Sequence, residues 1–452
     1  MTGTTTQDDA PVGAADTPAA KEQGTRVRGA RWPGRWPWWL RVLAVYGLAR
    51  AVSAAIIMIV AQHQAENYWT GAQPGYLEYT GSMWDASWYE QVARDGYPAE
   101  LPRGDDGLVQ QNAWAFYPLF PVLVRGLMEI TTLPWDVVAP ILCLVLGAIA
   151  MLVIHQLVAA APRAVARHPG LPLATVAVVA TVPSSPVLQV AYTEALALLL
   201  ISTTLLLIVR HRYEWAALSV VGLGFTRAVA LPMACVVVWH GLHRAYGWWR
   251  LRRAALAAAS APEVGASDAA PAASPAPPPF PWLDGIRVAA LLAVAVLSGF
   301  LWQWICAART GVPDAYFLTQ QAWRGTGPVE IFTPWVEISQ MLWGERGPWY
   351  LGMILVATAA VVLSPPMFRL GPELQAWTGA YLAYLVAVIE PWTSLWRFLL
   401  LAFPLGAVAV SWPRPRWAAR ACLAVVVAAG VYGQWYWVWN LWQLVPPSGW
   451  PP

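Results

Sequence analysis

The chain has 452 residues, of which 58% are hydrophobic and only 12% charged, with a formal net charge of +3. A soluble domain carries roughly a quarter charged residues, so this composition excludes one and indicates an all-α polytopic membrane protein. The small net charge also excludes a nucleic-acid partner held by phosphate neutralisation.

Residues 1–30 are polar and lack the apolar core of a signal peptide, and 1–37 are expected to form a disordered cytoplasmic tail. Apolar stretches long enough for a hydrocarbon core of about 20 residues then recur. They lie near 38–60, 136–160, 171–187, 190–210, 215–240, 284–308, 349–364, 373–391, 394–411 and 417–438. A further segment, 115–130, contains Pro118, Pro121 and Arg125 and reads either as a short span or as a re-entrant helix. The expected total is about 10 to 12 transmembrane helices.

Arg26, Arg28, Arg31, Arg35 and Arg41 precede or open the first span, which by the positive-inside rule puts the N-terminus in the cytoplasm. The loop 61–113 is then external, and it holds Glu66, Glu78, Asp85, Glu90, Asp95, Glu100, Asp105 and Asp106 against Arg94 and Arg103. If 115–130 crosses fully, the connectors with Arg163, Arg167, Arg210 and Arg212 fall outside; if it is re-entrant, they fall inside, as the charge rule favours. These boundaries give an N-terminal membrane module, 38–242, a Pro/Ala-rich cytoplasmic linker, 243–282, and a C-terminal module, 283–452, with an external loop at 309–348.

Within the first loop, Trp84 and Trp88 share one face of a predicted amphipathic helix, as do Asp85 and Tyr89, and Gly96 with Pro98 ends it. One reading is an interfacial aromatic anchor. The other is a sugar site, since aromatic faces pack on pyranose C–H surfaces and a carboxylate can take a proton from an attacking hydroxyl. Further along, Glu194, Arg227, Glu390 and Arg397 sit in or at the mouths of apolar helices, where a charge is costly and marks a polar cavity or an internal ion-pair lock. Lys21 is the sole lysine, so a cationic site in the membrane must use guanidinium groups. Arg397, Arg227 and Arg324 are candidate ligands for a lipid phosphate, because the arginine fork stays charged and matches phosphate oxygens. The segment from Pro313 to Arg324 reads as a partly helical lid or as an amphipathic surface helix. Cys143, Cys235, Cys306 and Cys422 lie in apolar runs without disulfide or zinc spacing. His240 and His243, at helical spacing, are a weak metal candidate only.

Trp84-Asp85-Ala86-Ser87-Trp88-Tyr89 through Asp95-Gly96-Tyr97, then Ala115-Phe116-Tyr117-Pro118-Leu119-Phe120-Pro121, Ala191-Tyr192-Thr193-Glu194-Ala195 and Thr226-Arg227 form an ordered series. The series resembles the GT-C membrane mannosyltransferases related to GPI mannosyltransferase II, over roughly the N-terminal half. Tyr316 to Trp323, and Trp396-Arg397-Phe398 with Phe403-Pro404, resemble bacterial members more loosely; the composition, poor in Lys and rich in Ala, Arg, Pro and Gly, fits a G+C-rich source such as an actinobacterium. The resemblance implies a GT-C glycosyltransferase fold and a plasma-membrane enzyme with an external active site. It implies transfer of mannose from polyprenyl-phosphate mannose, with inversion of the β-linked donor to an α-mannoside. The expected partners are membrane lipids, the polyprenyl-phosphate mannose donor and a mannosylated glycolipid or lipoglycan acceptor, with no metal or other cofactor. Asp85 matches the general base, and Trp84, Trp88, Tyr89, Asp95, Tyr117, Tyr192, Glu194, Gln320 and Trp323 are the expected sugar and acceptor contacts. Two alternatives stay open: a lipid-linked sugar translocator without catalysis, and a GT-C enzyme using another polyprenyl-phosphate sugar.

Overall fold

The computed structural model describes residues 36–259, 279, 281–325 and 330–445, and nearly all of the 1–37 tail lies outside them. Helix α1 (Trp38–Ala61) is 24 residues of almost unbroken apolar sequence, about 36 Å long at 1.5 Å per residue and so able to cross a bilayer core. The first long loop carries two short helices, α2 (Tyr76–Gly81) and α3 (Asp85–Asp95), and a 3-10 turn at Ala113–Ala115. Next comes α4 (Leu119–Thr131), whose 13 residues reach about 20 Å and cannot span.

Two contacts fix where the chain stands after α4. The Trp38 ring stacks on His155 at 5.2 Å, so the end of α5 (Trp135–Ala159) shares an end of the molecule with the start of α1. At the other end, Trp135 Nε1 donates to the Gly81 carbonyl at 2.8 Å and holds the start of α5 against α2. The segment 115–130 therefore returns the chain to the end it came from. Arg163 and Arg167, in α6 (Pro162–Arg167), consequently lie at the same end as the opening of α1.

α7 (Leu171–Val179) stops after nine residues, and a 3-10 turn at Ser185–Gln189 follows. Pro183 and Pro186 cannot continue a helical ladder, which leaves carbonyls of this break without helical donors. Arg50 of α1, only 4% exposed, supplies them: its guanidinium donates to the carbonyls of Ala180 and Ser185 and to Ser185 Oγ. Sequence reading passed over this residue, although a lone arginine within an apolar helix is the same signal that singled out Arg227. Arg50→Gln is expected to lower the thermal unfolding midpoint in detergent by several degrees, since it weakens buried hydrogen bonds to the Ala180 and Ser185 carbonyls, each worth about 1 kcal/mol or more from a charged donor.

After the break come α8 (Glu194–Val209) and α9 (Tyr213–Gly224); an irregular stretch at Phe225–Val229 leads into α10 (Ala230–Ala259). The linker expected over 243–282 is corrected here: residues 243–259 continue α10, and α11 starts at Trp282. Alanine and arginine are strong helix formers, and Arg252 and Arg253 sit over the rings of Trp248 and Trp249 one turn earlier. Of the rest of that linker, only Pro279 and Pro281 are described.

α11 (Trp282–Thr310) leads through α12 (Ala315–Arg324) and α13 (Thr333–Trp343) to α14 (Gly347–Val362) and α15 (Pro365–Leu370). The loop expected over 309–348 therefore contains two helices. α16 (Pro372–Val388) ends before Pro391, α17 (Leu395–Phe398) is a single turn, and α18 (Pro404–Ser411) and α19 (Arg416–Trp437) complete the fold. Among the described residues, five stretches are long and apolar enough to cross a membrane: Trp38–Ala61, Trp135–Ala159, Trp282–Thr310, Thr333–Leu370 and Arg416–Trp442. Other expected spans are shorter or broken, as at 171–187 and 215–240, because proline and polar residues interrupt hydrogen bonding within runs whose average hydropathy is high. Large side chains such as Leu48, Met58, Met353 and Val356 are exposed along the long helices, as lipid-facing surface requires.

Candidate functional site

The site lies where α3 meets three interrupted helices. Asp85 is the first residue of α3, where the positive end of the helix dipole favours a carboxylate. Trp84, just before it, has φ +57°, a conformation that costs a non-glycine residue about 1–3 kcal/mol. Packing holds it there: the indole Nε1 donates to the Trp442 carbonyl at 2.8 Å and the ring lies against Trp69. Trp84 is 5% exposed. It is a buried wedge beside Asp85.

The face of α3 shared by Asp85 and Tyr89 meets the segment before α8. The Asp85 amide donates to Tyr192 Oη at 3.2 Å, and Tyr89 Oη is 3.2 Å from Thr193 Oγ1. Tyr192 and Glu194 are fully buried and Tyr89 nearly so. These three back the site through contacts with α3 and Arg397. The break at Phe225–Val229 brings Arg227 in, and α17 brings Arg397.

The four charged groups form a chain. Arg397 Nη2 is 2.7 Å from Asp85 Oδ2, Arg397 Nη1 is 3.3 Å from Glu194 Oε1, and Arg227 Nη1 is 2.6 Å from the same Glu194 oxygen. Two carboxylates balance two guanidiniums. The side chains of Asp85 and Arg227 are 15% and 16% exposed, whereas that of Glu194 is sealed. Arg397 lies 4.9 Å over the Tyr192 ring, and Phe398 is flanked by Arg227 and Arg397 at 4.6 and 5.0 Å. Within this cluster, Glu194 Oε2 and Arg397 Nε are buried and have no hydrogen-bond partner among the described residues.

A second group closes around the other side of α3. Trp88 stacks on Phe116 at 5.7 Å and 5°, and Trp323 of α12 meets both rings edge-on. Trp323 Nε1 donates to the Asn112 carbonyl at 3.2 Å, Asn112 Nδ2 donates to Thr319 Oγ1, and Tyr117 Oη donates to Tyr316 Oη. α12 is thus bound to the first loop. Asn112 escaped sequence reading, because a lone Asn in a loop carries no periodic signal. Tyr117 is buried, while Gln320 is half-buried on α12. Arg324 donates to the Val388 carbonyl at 2.9 Å and lies 3.9 Å from Glu390, away from the Asp85–Glu194 chain of ion pairs. Asp95 is exposed at the last position of α3, nearly three turns from Asp85, and does not join the site. His240 is buried between Tyr213 and Glu373, at 3.0 and 2.7 Å, apart from this cluster.

No protein-family model matches the chain, and no curated protein does. Among solved structures, it is similar to the archaeal oligosaccharyltransferase AglB from Archaeoglobus fulgidus, in complex with an inhibitory peptide and a dolichol-phosphate, at 12% identity and a TM-score of 0.41. The match covers 89% of this chain and 56% of that one, so the chain spans about half the length of the solved structure.

Proposed function

We propose that the protein is a GT-C membrane glycosyltransferase that moves mannose from polyprenyl-phosphate mannose to a lipid-linked or glycolipid acceptor at the external face of the plasma membrane. The observation that carries this reading is a partly exposed carboxylate at a helix N-terminus in contact with a buried arginine, within a set of interrupted membrane helices. Asp85 takes the proton of the acceptor hydroxyl while that oxygen bonds to the anomeric carbon. The bond from that carbon to the phosphate oxygen breaks, and its electron pair leaves with polyprenyl phosphate. A monoanionic phosphodiester and a carboxylate become a dianionic phosphate and a neutral acid, so charge balances. The negative charge gained by the leaving group is met by Arg397, with Arg227 beside it, in a site largely shielded from water. Because phosphate is already a stable leaving anion, no general acid is required. Attack opposite the leaving group inverts the configuration.

A translocator of the same lipid is the second reading, favoured by the interruptions around Tyr192, Phe225 and Pro391, since broken helices also build transport sites. Vesicles reconstituted with the full chain and loaded with labelled polyprenyl-phosphate mannose separate the two. Label appearing in a new mannoside supports transfer; label that only changes leaflet while staying on its lipid supports translocation.

A further inference from the structure

We infer that the Asp85–Arg397 contact is a substrate-operated latch on the base. This inference rests on the transferase reading above and adds to it the order of events at the site. An arginine presents two edges to an anion, one formed by Nη1 and Nη2 and one by Nε and Nη2. In Arg397, Nη1 is held by Glu194, Nη2 by one Asp85 oxygen, and Nε is buried with no partner among the described residues. The Nε–Nη2 edge is therefore half occupied, and its occupant is the group the chemistry needs free. While Nη2 donates to it, the Asp85 Oδ2 oxygen is engaged with Arg397 and is not free to meet an acceptor hydroxyl.

A lipid-borne phosphate takes the Nε–Nη2 edge of Arg397, satisfies Nε, and displaces Asp85 Oδ2 from Nη2, so that both carboxylate oxygens are free only when a donor is in place. Glu194 keeps hold of Nη1 throughout, and Arg227 in turn holds Glu194, so the guanidinium keeps its position as its partner changes. Acceptor deprotonation then follows donor binding. Asp85 and the phosphate compete for one edge, and that competition lowers donor affinity in the wild type.

Farnesyl phosphate, a short isoprenoid phosphate, is the probe. Its dissociation constant is measured on the full-length purified chain, with farnesol and inorganic phosphate in parallel. Removing the competitor in Asp85→Ala is expected to tighten farnesyl phosphate by about tenfold, equivalent to about 1.4 kcal/mol, and Asp85→Asn, whose neutral amide still accepts from Arg397 but more weakly, is expected to tighten it by less. Asp95→Asn, which removes the same charge from the exposed end of α3, is expected to change it less than about twofold, in keeping with screening of exposed charges. Unchanged or weaker binding in both Asp85 variants overturns the latch, as does equal tightening by Asp95→Asn, which would make the effect one of net charge.

A second measurement needs no variant to fold. The infrared difference spectrum of the wild type on adding farnesyl phosphate should show a shifted carboxylate stretch, and its absence overturns the latch. The underlying reading fails separately: it falls if the wild type binds farnesol as well as farnesyl phosphate, or if Arg397→Gln leaves farnesyl phosphate affinity unchanged. Weak binding of inorganic phosphate beside tight binding of farnesyl phosphate identifies the source as lipid-borne; equal binding of the two overturns that part.

Discussion

Asp85→Asn is expected to lower the rate of sugar transfer by about 10²–10⁴-fold, the usual contribution of a positioned general base. The amide keeps the shape of the carboxylate and can still accept from Arg397, so the thermal unfolding midpoint should stay near that of the wild type. The comparison that checks this is single-turnover transfer by purified wild-type and variant protein, alongside thermal melts in the same detergent. Transfer at the wild-type rate by a folded Asp85→Asn protein would remove Asp85 from the mechanism.

The largest loss of stability is expected from Glu194→Gln. Glu194 is fully buried and its Oε1 pairs with both Arg227 and Arg397. Neutralising it leaves two guanidiniums close together in a poorly hydrated interior with only Asp85 to balance them. Breaking a buried ion pair from one side costs about 3–5 kcal/mol, enough to lower expression and the melting midpoint sharply. Adding Arg227→Gln restores neutrality, and the double variant is expected to recover part of the loss, a non-additivity that reports direct coupling. If Glu194→Gln melts like the wild type, the carboxylate is not what holds the arginines in place.

The contrast between these two acids shows what the sequence could reveal. Asp85 and Tyr89 share a face because helical spacing dictates it, and Gly96 with Pro98 fixed the end of α3; such local rules are legible in a single chain. The intramembrane charges were legible too, because each is costly enough to require a partner. Their pairing was not, since Arg397 lies 203 residues from Glu194 and meets it only through the interruption after α16. The burial of Trp84 was illegible for a related reason: its indole partner, the Trp442 carbonyl, lies 358 residues along the chain. Asp95 belongs to the motif that carries the resemblance, yet nearly three helical turns place it at the exposed far end of α3 from Asp85. Helix interruptions were the least visible feature, as a hydropathy window averages across the few residues, such as Val182 to Ser185, where backbone bonding fails.

The most direct test is a single turnover with β-linked, anomerically labelled polyprenyl-phosphate mannose, the purified full chain and a mannosylated glycolipid acceptor, followed by nuclear magnetic resonance of the sugar. The account predicts an α-linked product formed one-to-one with free polyprenyl phosphate, through attack assisted by Asp85. A donor left intact, or a product that keeps the β configuration, would contradict it.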